Sequence, residues 1–139
     1  MSQTVGVKIY QTPAQPRQVR LDTIASCNAR CLSCHRHLTK RQGAMDLGRV
    51  LDILKDIQKL PQPLTEIVPV NYGEVFLHPD CAGLLRLIAT MLPQTQIVIP
   101  TNGYLMDVDL LASIPTLRVV NISVNAAFPE TYEAFMGLP

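Results

Sequence analysis

The chain lacks several features that would each have placed it in a particular class of protein. No apolar run in its 139 residues approaches the roughly 20 that a membrane-spanning helix needs. Residues 1–18 contain no apolar stretch like that of a secretory signal peptide. The formal charge of only +1 argues against general binding to nucleic acid or membrane surfaces. We therefore expect a cytoplasmic protein whose partners include neither nucleic acid nor membrane.

Low-complexity tracts and blocks of like charge are also missing, and the composition suits a folded domain. Apolar residues make up 47% of the chain, too many for a disordered tail. The length allows a single domain. The only linker-like stretch covers residues 11–17 and follows a short strand expected over residues 4–10. We predict an N-terminal strand and linker over residues 1–17 and one domain over residues 18–139.

Strand-like and helix-like patterns alternate after the linker. Strands are predicted at residues 18–24, 66–70, 96–99 and 117–124, and helices at residues 47–60, 84–92, 107–113 and 129–137. Such alternation predicts an α/β fold of parallel strands with right-handed crossovers, in about four βα units. Functional loops of these sheets lie at the carboxyl ends of the strands. The candidate loops are residues 26–34, 71–79, 100–104 and 123–128.

Three of the four cysteines, Cys27, Cys31 and Cys34, lie within eight residues. Disulfides are a poor explanation in a reducing cytosol, whereas thiolates bind iron–sulfur clusters and soft metals. Three thiolates on a four-iron cluster would leave one iron open to an exogenous chelating group. A structural zinc site would need a fourth ligand, from His35, His37 or Cys81. The spacing favours the cluster and leaves zinc as the alternative, and Cys81 is expected to be a buried, small apolar residue at a helix start.

Four segments of the sequence, in this order, resemble the radical S-adenosylmethionine (SAM) superfamily. They are the Cys27-x3-Cys31-x2-Cys34 loop, the NYGEVFLHPD segment at 71–80, the TNG segment at 101–103, and ISVN at 122–125 followed by PETYE at 129–133. The resemblance covers about residues 19–137, which is nearly the whole chain.

This resemblance implies a set of cofactors and ligands. Cys27, Cys31 and Cys34 would hold a [4Fe–4S] cluster whose open iron is chelated by the amino and carboxylate groups of SAM. Glu74 would accept a hydrogen bond from the SAM amino group, and Gly73 would allow close backbone approach. The remaining candidates for SAM binding are Thr101, Asn102, Ser123 and Asn125. An electron donor would drive cleavage of SAM to methionine and a 5′-deoxyadenosyl radical, which takes a hydrogen atom from an unknown substrate.

The chain also departs from the pattern of the family. Ser33 stands where an aromatic residue is usual, and Asn125 replaces a frequent aspartate. About four βα units are present where the family core has about six, so the resemblance implies a partial barrel that is truncated relative to the family. A partner chain is then a candidate source of the missing half of the barrel. The alternatives are a zinc-binding interaction module and a non-catalytic remnant of a radical SAM core.

Overall fold

A single four-stranded sheet organises the chain. The computed structural model describes residues 14–139, and the strand predicted over residues 4–10 lies outside them. The strands are β1 (Gln18–Arg20), β2 (Glu66–Val68), β3 (Gln96–Thr101) and β4 (Leu117–Ile122). They are ordered β1-β2-β3-β4, and every neighbouring pair is parallel. The predicted α/β class with parallel strands is confirmed.

Four helices alternate with these strands, and the sequence specifies their ends locally. They are α1 (Leu47–Ile57), α2 (Cys81–Met91), α3 (Val108–Ala112) and α4 (Pro129–Met136). The Asp46 and Asp80 carboxylates accept hydrogen bonds from N–H groups in the first turns of α1 and α2, at 2.9 and 2.8 Å. Such caps satisfy amides that have no partner within the helix. Pro129 opens α4, and Gly137 ends it at a φ of 63°.

Several element bounds differ from the prediction for a physical reason. β2 ends at Val68 instead of residue 70, because Pro69 has no N–H group to continue the ladder. β1, its neighbour in the sheet, ends at Arg20 instead of the predicted residue 24. Ile24 forms an isolated antiparallel bridge with Ala44. β3 extends beyond the predicted residue 99 to Thr101, since its last residues remain paired with β4. α1 ends at Ile57, and turns follow it as far as residue 60.

The main core lies between the sheet and helices α1 and α2. Its fully buried side chains from the helices and strands include Val50, Leu54, Leu84, Leu85, Ile88, Ile67, Ile97 and Ile99. A second, smaller cluster joins α4 to the loop after β1 through Ala29, Met136 and Leu138. β4 lies at an edge of the described sheet. No helix between residues 14 and 139 is long and apolar enough to cross a membrane.

Candidate functional site

One cavity collects residues from all four loops that follow the strands. Because the strands are parallel, their carboxyl ends meet at the same edge of the sheet. The cavity has a volume of about 220 Å³. Every site residue predicted from the sequence lines it: Cys27, Cys31, Cys34, Gly73, Glu74, Thr101, Asn102, Ser123 and Asn125. A separate cavity of about 180 Å³ lies at the opposite end of the sheet, between the ends of α1 and α2, and contains none of these residues.

Glu74 lies at the centre of the site and is only 2% exposed. Its Oε1 accepts a hydrogen bond from the Thr101 hydroxyl and its Oε2 accepts one from the Asn102 N–H, both at 2.9 Å. The Thr101 hydroxyl in turn accepts a hydrogen bond from the Gly103 N–H at 3.0 Å. These donors compensate the burial of a carboxylate and fix the loop after β2 to the loop after β3.

Gly73 allows the loop after β2 to lie directly against the loop after β1. A Cβ atom at this position would be 2.1 Å from the carbonyl oxygen of Ile24 and 2.9 Å from that of Ser26. The Glu74 N–H donates to the same Ser26 carbonyl at 2.9 Å. The close backbone approach expected of Gly73 is therefore made to the protein itself, and its role toward a cofactor stays a prediction.

Asn28 belongs to the site although the sequence analysis did not single it out. The Asn102 side-chain amide donates to Asn28 Oδ1 at 2.9 Å and lies 3.9 Å from Cys27 Sγ. Asn28 Nδ2 is buried and has no hydrogen-bond partner among the described residues. Unpaired buried amides are rare because they lose their hydration without compensation. The position of Asn28 between two cysteines was the only available signal.

The three cysteines of the loop are partly buried, and Cys27 and Cys34 face backbone donors. The N–H of Ala29 lies 3.4 Å from Cys27 Sγ, and the N–H of Arg36 lies 3.4 Å from Cys34 Sγ. Burial raises the pKa of the Cys27 and Cys31 thiols, with the nearby Arg36 charge opposing it in both. Among the side chains that the structure describes, no three of the types His, Cys, Asp or Glu are arranged to hold a single metal ion.

The C-terminal end of α4 holds the cysteine loop in place. The N–H groups of Arg30 and Leu32 donate to the carbonyls of Met136 and Phe135, at 2.8 and 2.9 Å. Met136 is buried, and its Sδ lies 3.4 Å from Cys31 Sγ and accepts from the Asn125 side chain at 3.0 Å. Carbonyls at a helix C-terminus have no partner within the helix, which leaves them free for this role. Sequence reasoning missed Met136.

Cys81 and His78 lie outside this cavity. Cys81 begins α2 and packs against the main core, as predicted, although it is only partly buried. Burial, reinforced by the negative charges of Glu74, Asp107 and Asp80, raises the pKa of this thiol to about 11. His78 is buried and joins the Asp80 N–H to the Met45 carbonyl, at 3.1 and 2.9 Å. His78 therefore packs the loop.

Comparison with known protein families agrees with this geometry. The family model described as the radical SAM superfamily matches residues 22–139. The chain belongs to the radical SAM superfamily. Enzymes of this superfamily use a [4Fe–4S] cluster and SAM, and they need a substrate and an electron donor. The predicted family and its cofactors are thus confirmed, while the role of each residue stays a prediction.

Two curated relatives are longer than this chain. A GTP 3′,8-cyclase of Microcystis aeruginosa is 27% identical over 128 residues, which cover 86% of this chain and 37% of that protein. The tungsten-containing aldehyde ferredoxin oxidoreductase cofactor-modifying protein of Pyrococcus furiosus is 31% identical over 100 residues, which cover 71% of this chain and 27% of that protein. The chain therefore spans well under half the length of these radical SAM relatives.

Solved structures share the fold at low sequence identity. BtrN, in complex with AdoMet and 2-DOIA, superposes with a TM-score of 0.73 and 17% identity, over 87% of this chain and 50% of BtrN. SuiB of Streptococcus suis, bound to S-adenosylmethionine, gives a TM-score of 0.74 and 18% identity, over 88% of this chain and 28% of SuiB. The four βα units of this radical SAM chain thus adopt the arrangement found in larger proteins.

Proposed function

We propose that this chain binds a [4Fe–4S] cluster through Cys27, Cys31 and Cys34 and binds SAM in the adjoining cavity, for radical chemistry on an unknown substrate. The observation that carries the proposal is the single cavity lined by these three thiols and by polar groups of the other three loops. When bound, the cluster supplies the electron that cleaves SAM to methionine and a 5′-deoxyadenosyl radical, which abstracts hydrogen.

The residues present fit such a cluster. Three thiols form a donor set that leaves one iron of a four-iron cluster without a protein ligand. The N–H groups of Ala29 and Arg36 point at the sulfurs of Cys27 and Cys34, where they stabilise thiolate charge. The unpaired, buried Nδ2 of Asn28, the residue after Cys27 in the chain, offers a further donor to a bound group. These contacts support the cluster as the resident group of the loop.

The SAM-binding candidates divide into positioning groups and contact groups. The Thr101 hydroxyl already donates to Glu74 and accepts from Gly103, so we assign Thr101 the task of orienting Glu74. Glu74 Oε1 already accepts from the Thr101 hydroxyl and from the Phe76 N–H, whereas Oε2, among the described residues, accepts only from the Asn102 N–H, which leaves Oε2 capacity for an ammonium donor. Ser123 and Asn125 are exposed at the rim of the cavity and are available for polar contact. Gly73 and Asn102 hold the loops that present these groups.

A substrate would need a more enclosed site than this cavity provides. The unpaired edge of β4 indicates where further protein structure would be added. Within the described sheet β4 pairs only with β3, and Val119 and Ile122 are 39% and 49% exposed. An additional strand beside β4, from the same polypeptide or from a partner chain, would bury these side chains and extend the barrel.

The cytoplasmic location expected from the sequence stays a prediction.

Anaerobic reconstitution with iron and sulfide tests cluster binding. We expect a brown protein with about four irons per chain and charge-transfer absorption. The Cys27→Ala, Cys31→Ala, Cys34→Ala triple variant should stay colourless, whereas the matched Cys81→Ala variant should retain the cluster. Protein that takes up one zinc and no iron would contradict the proposal.

Incubation of the cluster-loaded chain with dithionite and SAM tests the chemistry. We expect 5′-deoxyadenosine and methionine in equal amounts, with less product from the Glu74→Gln variant. If a fully loaded chain forms no 5′-deoxyadenosine, it is a non-catalytic cluster-binding core instead of an enzyme.

A further inference from the structure

We propose that the side-chain amides of Asn28 and Asn102 form a donor pair that hydrogen-bonds to the sulfurs of the cluster and raises its reduction potential. This inference rests on the proposed function, since it needs a cluster at the three cysteines of the loop. It goes beyond that function because it assigns the two amides to the cluster and not to SAM.

The orientation of the Asn102 side chain is fixed by its surroundings. The Tyr104 N–H can only donate, and it lies 3.0 Å from Asn102 Oδ1. The oxygen of the Asn102 amide therefore faces Tyr104, and its Nδ2 faces the cysteine loop. That nitrogen carries two hydrogens. It donates to Asn28 Oδ1 at 2.9 Å and makes a longer contact of 3.9 Å with Cys27 Sγ.

The orientation of Asn28 follows from that of Asn102. Because Asn102 offers a donor, Asn28 presents its oxygen, and its own Nδ2 is directed to a different partner. This nitrogen is buried, and no group that the structure describes accepts a hydrogen bond from it. Exchanging the oxygen and nitrogen of the Asn28 amide would set two NH₂ groups against each other. The unpaired donor is thus a consequence of the hydrogen bonds around it.

A buried donor without an acceptor costs free energy, and a bound acceptor would remove that cost. The position of Asn28 in the chain indicates which acceptor this is. Asn28 directly follows Cys27 and precedes Cys31, so its amide belongs to the loop that would hold the cluster. The sulfurs of an iron–sulfur cluster accept hydrogen bonds from protein N–H groups. The cluster is therefore the acceptor that the loop itself would provide.

The side-chain donors of the loop are concentrated near one cysteine. Cys27 Sγ faces the Ala29 N–H at 3.4 Å as well as the Asn102 amide. The donor to Cys34 Sγ is a backbone N–H. Backbone donors are present whatever the residue type, whereas a side-chain amide depends on asparagine at that position. The two asparagines are thus the part of this donor set that a substitution can remove.

These donors act on the potential because reduction adds negative charge to the sulfurs. The cluster gains one electron from an external reductant, which is dithionite in the tests below, and passes from the 2+ to the 1+ state. No bond is formed or broken in this step. N–H groups that face the sulfurs stabilise the more negative state, so the loss of a donor should lower the reduction potential.

The first test detects the amides in the unaltered protein. The chain is made by cell-free synthesis with nitrogen-15 at the side-chain amide of asparagine, reconstituted with iron and sulfide, and reduced with dithionite in the absence of SAM. Pulsed electron paramagnetic resonance then detects nitrogen-15 nuclei that couple to the electron spin of the cluster. We expect such a coupling in the wild-type chain. A fully loaded and reduced chain without it would overturn the proposal.

The coupling should vanish in the Asn28→Leu, Asn102→Leu double variant. Leucine has nearly the shape of asparagine but no donor, so the change leaves the charge of the chain unaltered. Asn121→Leu is the control, because Asn121 is an exposed asparagine on β4. A coupling that persists in the double variant would belong to another asparagine and would overturn the assignment.

The second test measures the reduction potential by a redox titration without SAM. In Asn28→Leu we expect the reduction equilibrium to shift at least about tenfold toward the oxidised state, which is about 59 mV for one electron. Asn28→Asp keeps an acceptor for Asn102 but replaces the free donor with a carboxylate, so its potential should fall further. Asn121→Leu and Asn121→Asp should keep the wild-type value. The potential belongs to each loaded chain, so a variant with less cluster can still be compared.

Equal potentials in Asn28→Leu and Asn121→Leu would overturn the proposal. A coupling or a shift in potential that appears only after SAM is added would do the same, because SAM would then be the acceptor. A wild-type chain that takes up no cluster would refute the proposed function as well. A chain that holds a reducible cluster, with a potential indifferent to Asn28, would refute only the donor pair.

Discussion

The loops after the two central strands are held differently from the loops after the two outer strands. After β2 and β3, Glu74 joins Thr101 and Asn102 directly through buried hydrogen bonds. After β1 and β4, the main link is helix α4, whose Met136 contacts both the cysteine loop and Asn125. The central half of the site is therefore organised by its own side chains, whereas the outer half depends on a separate helix.

Packing explains this difference. Ile97 and Ile99 of β3 are fully buried, with strands on both sides of them and helices above. Most of β4 is exposed or half-exposed. A fully packed strand fixes the position at which its following loop begins, so the hydrogen bonds of that loop are enough to hold it in place. A loop at the edge must be anchored by other contacts.

The largest expected effect comes from Gly73→Ala, which would break the contact between the two halves. The added Cβ would lie 2.1 Å from the Ile24 carbonyl oxygen, and neither can rotate away, because the oxygen is a backbone atom and the backbone fixes the position of Cβ. We expect the free energy of unfolding to fall by about 3 kcal/mol. Urea denaturation of the cluster-free chain measures this loss, and reconstitution should show a lower iron content.

Gly48→Ala provides the control for this substitution. Gly48 lies in α1, and its added Cβ would be 3.0 Å from the Asp46 carboxylate oxygen, a side-chain atom that can adjust. Alanine also favours a helix over glycine, so stability should change by no more than about 1 kcal/mol. If the two variants lost similar amounts of unfolding free energy, close contact between the loops at Gly73 would not explain the effect of Gly73→Ala.

A smaller and more local effect is expected from Met136→Ala. Met136 is 1% exposed, and its removal leaves a cavity between α4 and the cysteine loop. We expect a loss of about 2 kcal/mol, confined to the outer half of the site. Hydrogen exchange should accelerate at the Arg30 and Leu32 amides, which bond to α4, and not at the Asn102 amide, which bonds to Glu74.

Met136→Leu is the matched control because it preserves most of the buried volume. Its exchange rates should stay close to those of the wild type. If Met136→Ala accelerated exchange of the Asn102 amide as strongly as that of Arg30, the two halves would form one cooperative unit, and the contrast between them would fail.

The sequence predicted most of this site because the signals were local. Three cysteines in one loop located Cys27, and polar residues directly after apolar strands located the other loops, while the choice of Glu74, Thr101 and Asn102 within them came from the resemblance to the radical SAM superfamily. Parallel topology then required these loops to meet. Helix ends were also predictable where a capping side chain such as Asp46 or a terminal Gly137 marked them.

Contacts between distant segments were not predictable. The bond from Arg30 to the Met136 carbonyl joins residues more than 100 positions apart through backbone atoms, which leave no trace in residue type. The carbonyl oxygens that surround Gly73 likewise belong to another loop. The early ends of β1 and β2 depend on pairing at Pro69, which a hydrophobic pattern does not record.

The smallest effect, and the sharpest probe of the central half, is expected from Glu74→Gln. The amide has one oxygen acceptor in place of two, so one of the donors on Thr101 and Asn102 loses its partner. We expect a loss of about 1–2 kcal/mol in the free energy of unfolding. Glu133→Gln, an exposed change of the same kind on α4, should be neutral.

Cys81 reports the same change through its pKa. Burial raises that pKa from 9.0 to about 11, with the Glu74 charge next in importance. The raised value means that the neutral thiol is favoured in the folded chain. The contribution of the Cys81 thiol to the free energy of unfolding is complete below about pH 9 and is lost as the pH rises toward 11.

Removing the charge in Glu74→Gln should lower the pKa of Cys81 and shift formation of its thiolate to lower pH. Thiolate absorbance at 240 nm in a chain with alanine at positions 27, 31 and 34 measures this shift, because Cys81 is then the only thiol. An unchanged titration in Glu74→Gln would show that the Glu74 side chain does not contribute to the raised pKa of Cys81 and would contradict this prediction.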